Sequence, residues 1–129
     1  MTAQTTNPST PDEPFVLVIG EALMDLVVQH GAEAGDAAAV PGGSPANVAL
    51  ALGRLGVPVE LVTWIGKDTF GTAIHRHLGE SGVVLREPSL AAEKTSTAIA
   101  KLDELGAETY VFDVEWAPAP LVGFKNIEI

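Results

Sequence analysis

Apolar residues along this chain fall into two alternating periods, and the alternation predicts an α/β protein. Residues 15–20 (FVLVIG) are a continuous β-branched run, the pattern of a strand covered on both faces. A second run over 22–28 follows at once, with Asp25 the single charge inside it. Residues 29–41 are Ala-rich, acidic and without period, and are expected to form a loop. Over 44–56 the pattern turns helical, and both ends are signalled. Ser44 is the expected N-cap, Pro45 the first helical residue, where a missing N–H costs nothing, and Gly56 stands just past the end. Residues 57–65 (VPVELVTWI) predict another strand. Asp68 predicts the cap of a second helix over 69–81, with Phe70, Ala73, Ile74, His77 and Leu78 on its apolar face and Gly82 closing it. Strand, helix, strand, helix is the rhythm of a parallel sheet covered by helices.

The last third changes period. Residues 94–102 alternate, with Ser96, Ala98, Ala100 and Leu102 on one side, and 107–114 read as a second strand after an Asp-Glu-Leu-Gly turn. This hairpin, about 94–114, breaks the βαβ rhythm and is expected to stand off the main sheet as a flap. Between Ala46 and Leu55 only Asn47 and Arg54 are polar, so the first helix needs cover on more than one side. The final run LVGFKNIEI (121–129) reads as a strand beginning, and together these features lead us to expect the front part of a longer domain. Residues 1–13, rich in Thr, Pro and Ser, are expected to be a disordered tail, leaving 14–129 as the domain portion.

Composition narrows the function. Seven basic against seventeen acidic residues give a net charge of −10, which repels a phosphate backbone, so no nucleic acid partner is expected. No apolar stretch approaches the roughly 20 residues of a membrane span, and the start lacks a signal peptide's basic and apolar regions. With no cysteine in the chain, a cytoplasmic location is the expectation.

Several familiar motifs are absent. Gly20-Glu21-Ala22 follows a strand without the G-x-G-x-x-G of a dinucleotide turn, and Gly66-Lys67-Asp68-Thr69 lacks the first glycine of a phosphate loop. His30, His75 and His77 have no metal-ligand spacing. What remains is a double glycine feeding a buried helix. Gly42 and Gly43 allow close backbone approach and positive φ, the helix start offers free N–H groups, and Asn47 carries an amide that can donate and accept, suiting a sugar diol. Asn47 reaching back to Ser44 in a capping box, and Asp25 as a hydrated edge carboxylate, are the alternatives.

Three ordered motifs, G-E-A-L-M-D-L-V (20–27), P-G-G-S-P-A-N-V-A-L-A-L-G-R-L-G (41–56) and W-I-G-K-D-T-F-G (64–71), resemble the amino-terminal signature of the ribokinase/PfkB carbohydrate kinases over about residues 15–116. The resemblance implies a ribokinase-like three-layer α/β fold with a central, mostly parallel sheet, here truncated, and a β-hairpin lid. It implies that Asp25, Gly42, Gly43 and Asn47 hold sugar hydroxyls, and that Ala98, Ala100 and Phe112 touch the sugar from the lid. Ser44-Pro45 in place of Lys-Gly is similar to the fructokinase-type members. The family's second half carries a G-A-G-D run, with its anion hole and catalytic base, and most of the ATP site. No such run follows the sugar motif here, and Ala34-Gly35-Asp36 lies before it. For a full-length relative the resemblance implies ATP and Mg²⁺ and in-line transfer of the γ-phosphoryl group to a sugar hydroxyl. For this chain it implies sugar positioning without a catalytic residue; the unpaired edge of the lid hairpin is the expected route for any homodimer. A non-catalytic sugar-binding or interaction module and a truncated product without activity are the competing expectations.

Overall fold

The β-branched runs pair as two separate sheets, not one. The computed structural model describes residues 13–32 and 37–117. The tail over 1–12 and the closing run over 121–129 lie outside the described residues. In the first sheet β1 (Val16–Ile19), β4 (Val59–Val62) and β5 (Val83–Leu85) are parallel, in the order β1-β4-β5. Val59 and Leu61 stand opposite Val83 and Leu85, and this face packs on Ala46 and Ala49 of helix α1 (Ser44–Arg54) and Ile74 and Leu78 of helix α2 (Thr69–Glu80). The expectation that the first strand is covered on both faces does not hold. β1 lies at the sheet edge with Val16 40% and Ile19 48% exposed, while β4, flanked on both sides, is buried throughout. β4 even buries a carboxylate: Glu60 meets the Arg86 guanidinium at 2.6 Å. Burial pushes the Glu60 carboxyl above its ordinary value, and the charge of Arg86 opposes that rise.

The cap of helix α1 lies one residue earlier than expected. Gly43, at φ 99°, is the N-cap, so Ser44 is the first helical residue and Pro45 the second. A side chain at Gly43 would be strained by that φ and would meet the Glu21 carbonyl oxygen at 2.8 Å. At the far end, Gly56 N–H bonds the Gly53 carbonyl at 3.0 Å and Val57 N–H the Leu52 carbonyl at 3.1 Å, a Schellman closure at the predicted glycine. Helix α2 is capped as predicted, the Asp68 carboxylate accepting from Gly71 N–H at 2.8 Å.

The second sheet runs β3-β2-β6-β7, from β2 (Leu23–Val28), β3 (Ala38–Gly42), β6 (Thr97–Leu102) and β7 (Glu108–Asp113). The stretch expected to be a loop over 29–41 therefore ends in a strand. Its AAVPG sequence has no alternation to show this, since an exposed edge strand paired only with β2 tolerates small residues and Pro41. The β6–β7 hairpin turns at Asp103, whose carboxylate accepts from the Leu105 and Ala107 amides at 2.9 and 2.8 Å. As expected it stands off the main sheet, and because β6 pairs in parallel with β2 it belongs to a separate four-stranded sheet.

Candidate functional site

One face of this second sheet gathers most of the residues that the sequence singles out. Asp25 stands opposite Ala98, which stands opposite Phe112; one pair along, Val27, Ala100 and Tyr110 line up in the same way. Directly paired residues share a face, so Asp25, Ala98, Ala100 and Phe112 look out together, with Tyr110 beside them. Gly42, two residues beyond Val40 in a strand whose Val40 opposes Asp25, belongs to the same face. The two alanines, 4% and 7% exposed, form a floor of methyl groups. Asp25 and Phe112 rise on either side of it, two strand spacings or about 10 Å apart.

The walls differ in chemistry. On one side Tyr110 and Phe112 stack, with ring centroids 5.9 Å apart and an interplanar angle of 12°. Both rings are exposed, and the Tyr110 hydroxyl donates to Glu108 Oε2 at 2.6 Å. That bond raises the Tyr110 pKa, and the charge of Asp25 adds a smaller push in the same direction. On the other side Asp25 is half-buried and, among the described residues, has no hydrogen-bond partner. Burial raises its carboxyl above the ordinary value.

Asp25 also explains the first glycine of the pair. A Cβ on Gly42 would fall on the Asp25 carboxylate, so the side chain lies across the backbone just before the start of α1. Gly42 supplies space, and the positive φ belongs to Gly43 alone among the two. Among the described residues no side chain caps α1, so its first-turn amides at Ser44 and Ala46 have no capping partner. Asn47 donates its N–H to the Gly43 carbonyl at 2.9 Å. Its side chain is exposed and makes no hydrogen bond among the described residues, so the capping-box alternative has no bond in the structure. The contact that would bring the Asn47 amide to Asp25 is likewise not made within the chain.

Elsewhere, Lys67, Asp68, Thr69, Thr72, Ala73 and Arg76 line a cleft of about 430 Å³ at the start of α2. Its helix terminus is already capped by Asp68. No group of three or more His, Asp or Glu side chains able to hold a metal ion occurs among the described residues. No helix of the described residues is long and apolar enough to cross a membrane.

Sequence reasoning missed three features. Tyr110 joins the site through hairpin register, which the alternation over 107–114 contains but does not rank. The Glu60–Arg86 pair gives no local signal across its separation. Asp68 accepts from the Thr95 amide at 2.8 Å and the Thr95 hydroxyl at 2.6 Å as well as capping α2, a contact between residues 27 apart.

The comparisons with known proteins agree with the expected ribokinase-like fold. Residues 13–119 match the pfkB family carbohydrate kinases, so the chain belongs to that family. It is 35% identical over 100 residues to the fructokinase of Klebsiella pneumoniae, covering 77% of this chain and 32% of that protein. The crystal structure of Xylella fastidiosa fructokinase with bound ATP superposes with a TM-score of 0.64 at 34% identity, over 76% of this chain and 32% of that one. Thermotoga maritima ribokinase shares the fold, with a TM-score of 0.64 at 21% identity over 77% of this chain and 36% of that one. The chain thus spans about a third of the length of the relatives it matches.

Proposed function

We propose that this chain provides the sugar-binding face and lid of a fructokinase-like sugar kinase, an enzyme that transfers the γ-phosphoryl group of ATP to a sugar hydroxyl. The observation that carries the reading is Asp25: a half-buried carboxylate with no hydrogen-bond partner among the described residues, facing stacked aromatic rings across a floor of two alanines. A carboxylate can accept from two neighbouring hydroxyls at once, and each charged hydrogen bond contributes about 1.5–3 kcal/mol. The amides of Ser44 and Ala46 and the side chain of Asn47 supply donors beside it. Phe112 and Tyr110 offer an apolar wall to the C–H face of a sugar ring, and Ala98 and Ala100 leave room for it. In this reading the lid is the whole sheet β3-β2-β6-β7, not residues 94–114 alone. Its work is to orient the hydroxyl that reacts and to exclude water from it.

In this reading ATP and Mg²⁺ serve the whole kinase, and these residues serve its sugar. The sequence contains no G-A-G-D run after the sugar motif. The reading for these 129 residues alone is sugar binding without ATP turnover. Its cysteine-free composition suits a cytoplasmic protein. The exposed β7, with Tyr110, Val111 and Phe112 all more than 45% exposed, is the surface through which two lids would pair in a homodimer.

Calorimetric titration with fructose, ribose and glucose tests this reading, alongside coupled detection of ADP release. The expected result is binding of a neutral sugar that Asp25→Ala weakens roughly 10- to 150-fold, with no sugar-dependent ADP. A chain that binds none of these sugars, or binds them equally well without the Asp25 carboxylate, contradicts it.

A further inference from the structure

We propose that Asp68 is a positioning residue for the sugar face, holding the root of β6 against β2 through Thr95; this rests on the sugar-binding reading of that face. An N-cap needs only one bond, the one from Gly71 N–H. The Asp68 carboxylate accepts two more, both from Thr95: the amide at Oδ2, 2.8 Å, and the hydroxyl at Oδ1, 2.6 Å. The Thr95 hydroxyl in turn accepts from Gly66 N–H at 3.0 Å. Asp68 therefore binds the connection out of β4, the start of α2 and the residue two before β6.

The grip passes to the site in one step. Ser96, next to Thr95, accepts from Met24 N–H at 3.0 Å through its carbonyl, and its hydroxyl accepts from Glu115 N–H at 3.0 Å. Met24 precedes Asp25, and Ala98, two residues beyond Ser96, is the partner of Asp25. Thr95 and Ser96 are buried, 5% and 2% exposed, so a slack root has no water to replace these bonds. The junction also has little spare room. A Cβ at Gly71 would collide with the Gly66 carbonyl and come within 2.8 Å of the Thr95 hydroxyl; one at Gly66 would lie 3.1 Å from Asp68 Oδ2 and from Lys94 Cα. The G-x-D-x-x-G spacing over 66–71 is thus the footprint of a clamp between helix and lid, beyond the helix start that the sequence suggests.

Asp68→Asn separates the two roles, since Asn caps helices about as well as Asp but presents one acceptor oxygen, no charge and an NH₂ that cannot accept from Thr95. The test compares the wild-type chain with Asp68→Asn, Thr95→Val and Thr95→Ser, using fructose titration at a temperature where circular dichroism shows each variant folded, together with amide hydrogen exchange. We expect Asp68→Asn and Thr95→Val to weaken fructose binding tenfold or more. Exchange over 95–100 should quicken at least tenfold while 59–62 and 83–85 keep their protection. Thr95→Ser, which keeps the hydroxyl, should stay within threefold of wild type. Wild-type affinity and unchanged exchange over 95–100 in Asp68→Asn would overturn the proposal. A wild-type chain that binds no sugar defeats the sugar reading instead. Exchange alone then decides the clamp, faster exchange over 95–100 upholding it and unchanged exchange refuting it.

Discussion

Replacing Gly42 with alanine offers a selective perturbation of the candidate site. The new methyl would land on the Asp25 carboxylate, the far end of a short side chain that can swing away. Gly42 does not have a positive φ, so the backbone accepts alanine without strain, and Gly→Ala restricts the unfolded chain by about 0.4–1 kcal/mol in favour of folding. Pushing Asp25 off its preferred rotamer costs about 0.5–1.5 kcal/mol, so net stability should move by less than about 1 kcal/mol. Sugar binding should respond far more. Displacing the carboxylate forfeits charged hydrogen bonds of about 1.5–3 kcal/mol, and with about 1.4 kcal/mol per tenfold in Kd the affinity falls roughly 10- to 150-fold. Calorimetry with fructose, paired with urea unfolding, separates the two quantities. Because Gly42→Ala and Asp25→Ala act on one interaction, the double variant should bind no more weakly than Asp25→Ala alone. Full affinity in Gly42→Ala with loss in Asp25→Ala, or additive losses in the double variant, would refute the placement of Asp25 over Gly42.

Three further outcomes follow from the same geometry. Asn47→Ala should weaken fructose binding less than Asp25→Ala, about 0.5–1.5 kcal/mol for neutral bonds, with an unchanged melting temperature because its side chain makes no hydrogen bond among the described residues; a fall in melting temperature with intact affinity would make it a structural residue. The two aspartates should respond oppositely to acid. The Asp25 carboxyl is raised by burial, so its ionisation disfavours folding above the unfolded value of about 3.9, and fructose affinity should fade on acidification before an ordinary carboxylate protonates. Burial also works against the charge of Asp68, but the bonds from Thr95 and Gly71 outweigh it and hold the carboxyl low. Its stabilisation is present above about pH 3.9 and goes as pH falls through the lower folded value, visible as greater protection of the Thr95 amide, relative to its intrinsic exchange rate, above that pH than below it. Finally, Val16, Ile19, Val48 and Leu55, each at least 40% exposed, with the outer edge of β7 unpaired among the described residues, should drive concentration-dependent self-association in size-exclusion chromatography with light scattering. A monodisperse monomer at high concentration with a steep two-state unfolding transition would contradict this.

What the sequence made legible is what local physics writes down. The α1 stop at Gly56, the Asp68 cap and the 103–106 turn each follow from one residue's backbone preference, and each appears where it was read. Asp25 and the glycine pair were visible because a charge inside an apolar run and two adjacent glycines break local rules. The start of α1 was misread because Ser44 is a good cap by type, whereas the backbone approach of Gly43 to Glu21 and Ala22 settles the cap by space. β3 was missed because its order comes from pairing with β2, and the β2–β6 pairing that turns a hairpin into a lid sheet joins residues about 70 positions apart. The Asp68–Thr95 and Glu60–Arg86 contacts are likewise products of topology and leave no periodic trace.

The central claim, that the face bearing Asp25, Ala98 and Phe112 holds a sugar, is tested most directly by amide chemical-shift mapping of the ¹⁵N-labelled chain titrated with fructose. The account predicts saturable shifts confined to 23–27, 40–47, 96–100 and 108–112, absent in Asp25→Ala. Shifts centred on the cleft at 67–76, or unchanged spectra at saturating sugar, would contradict it.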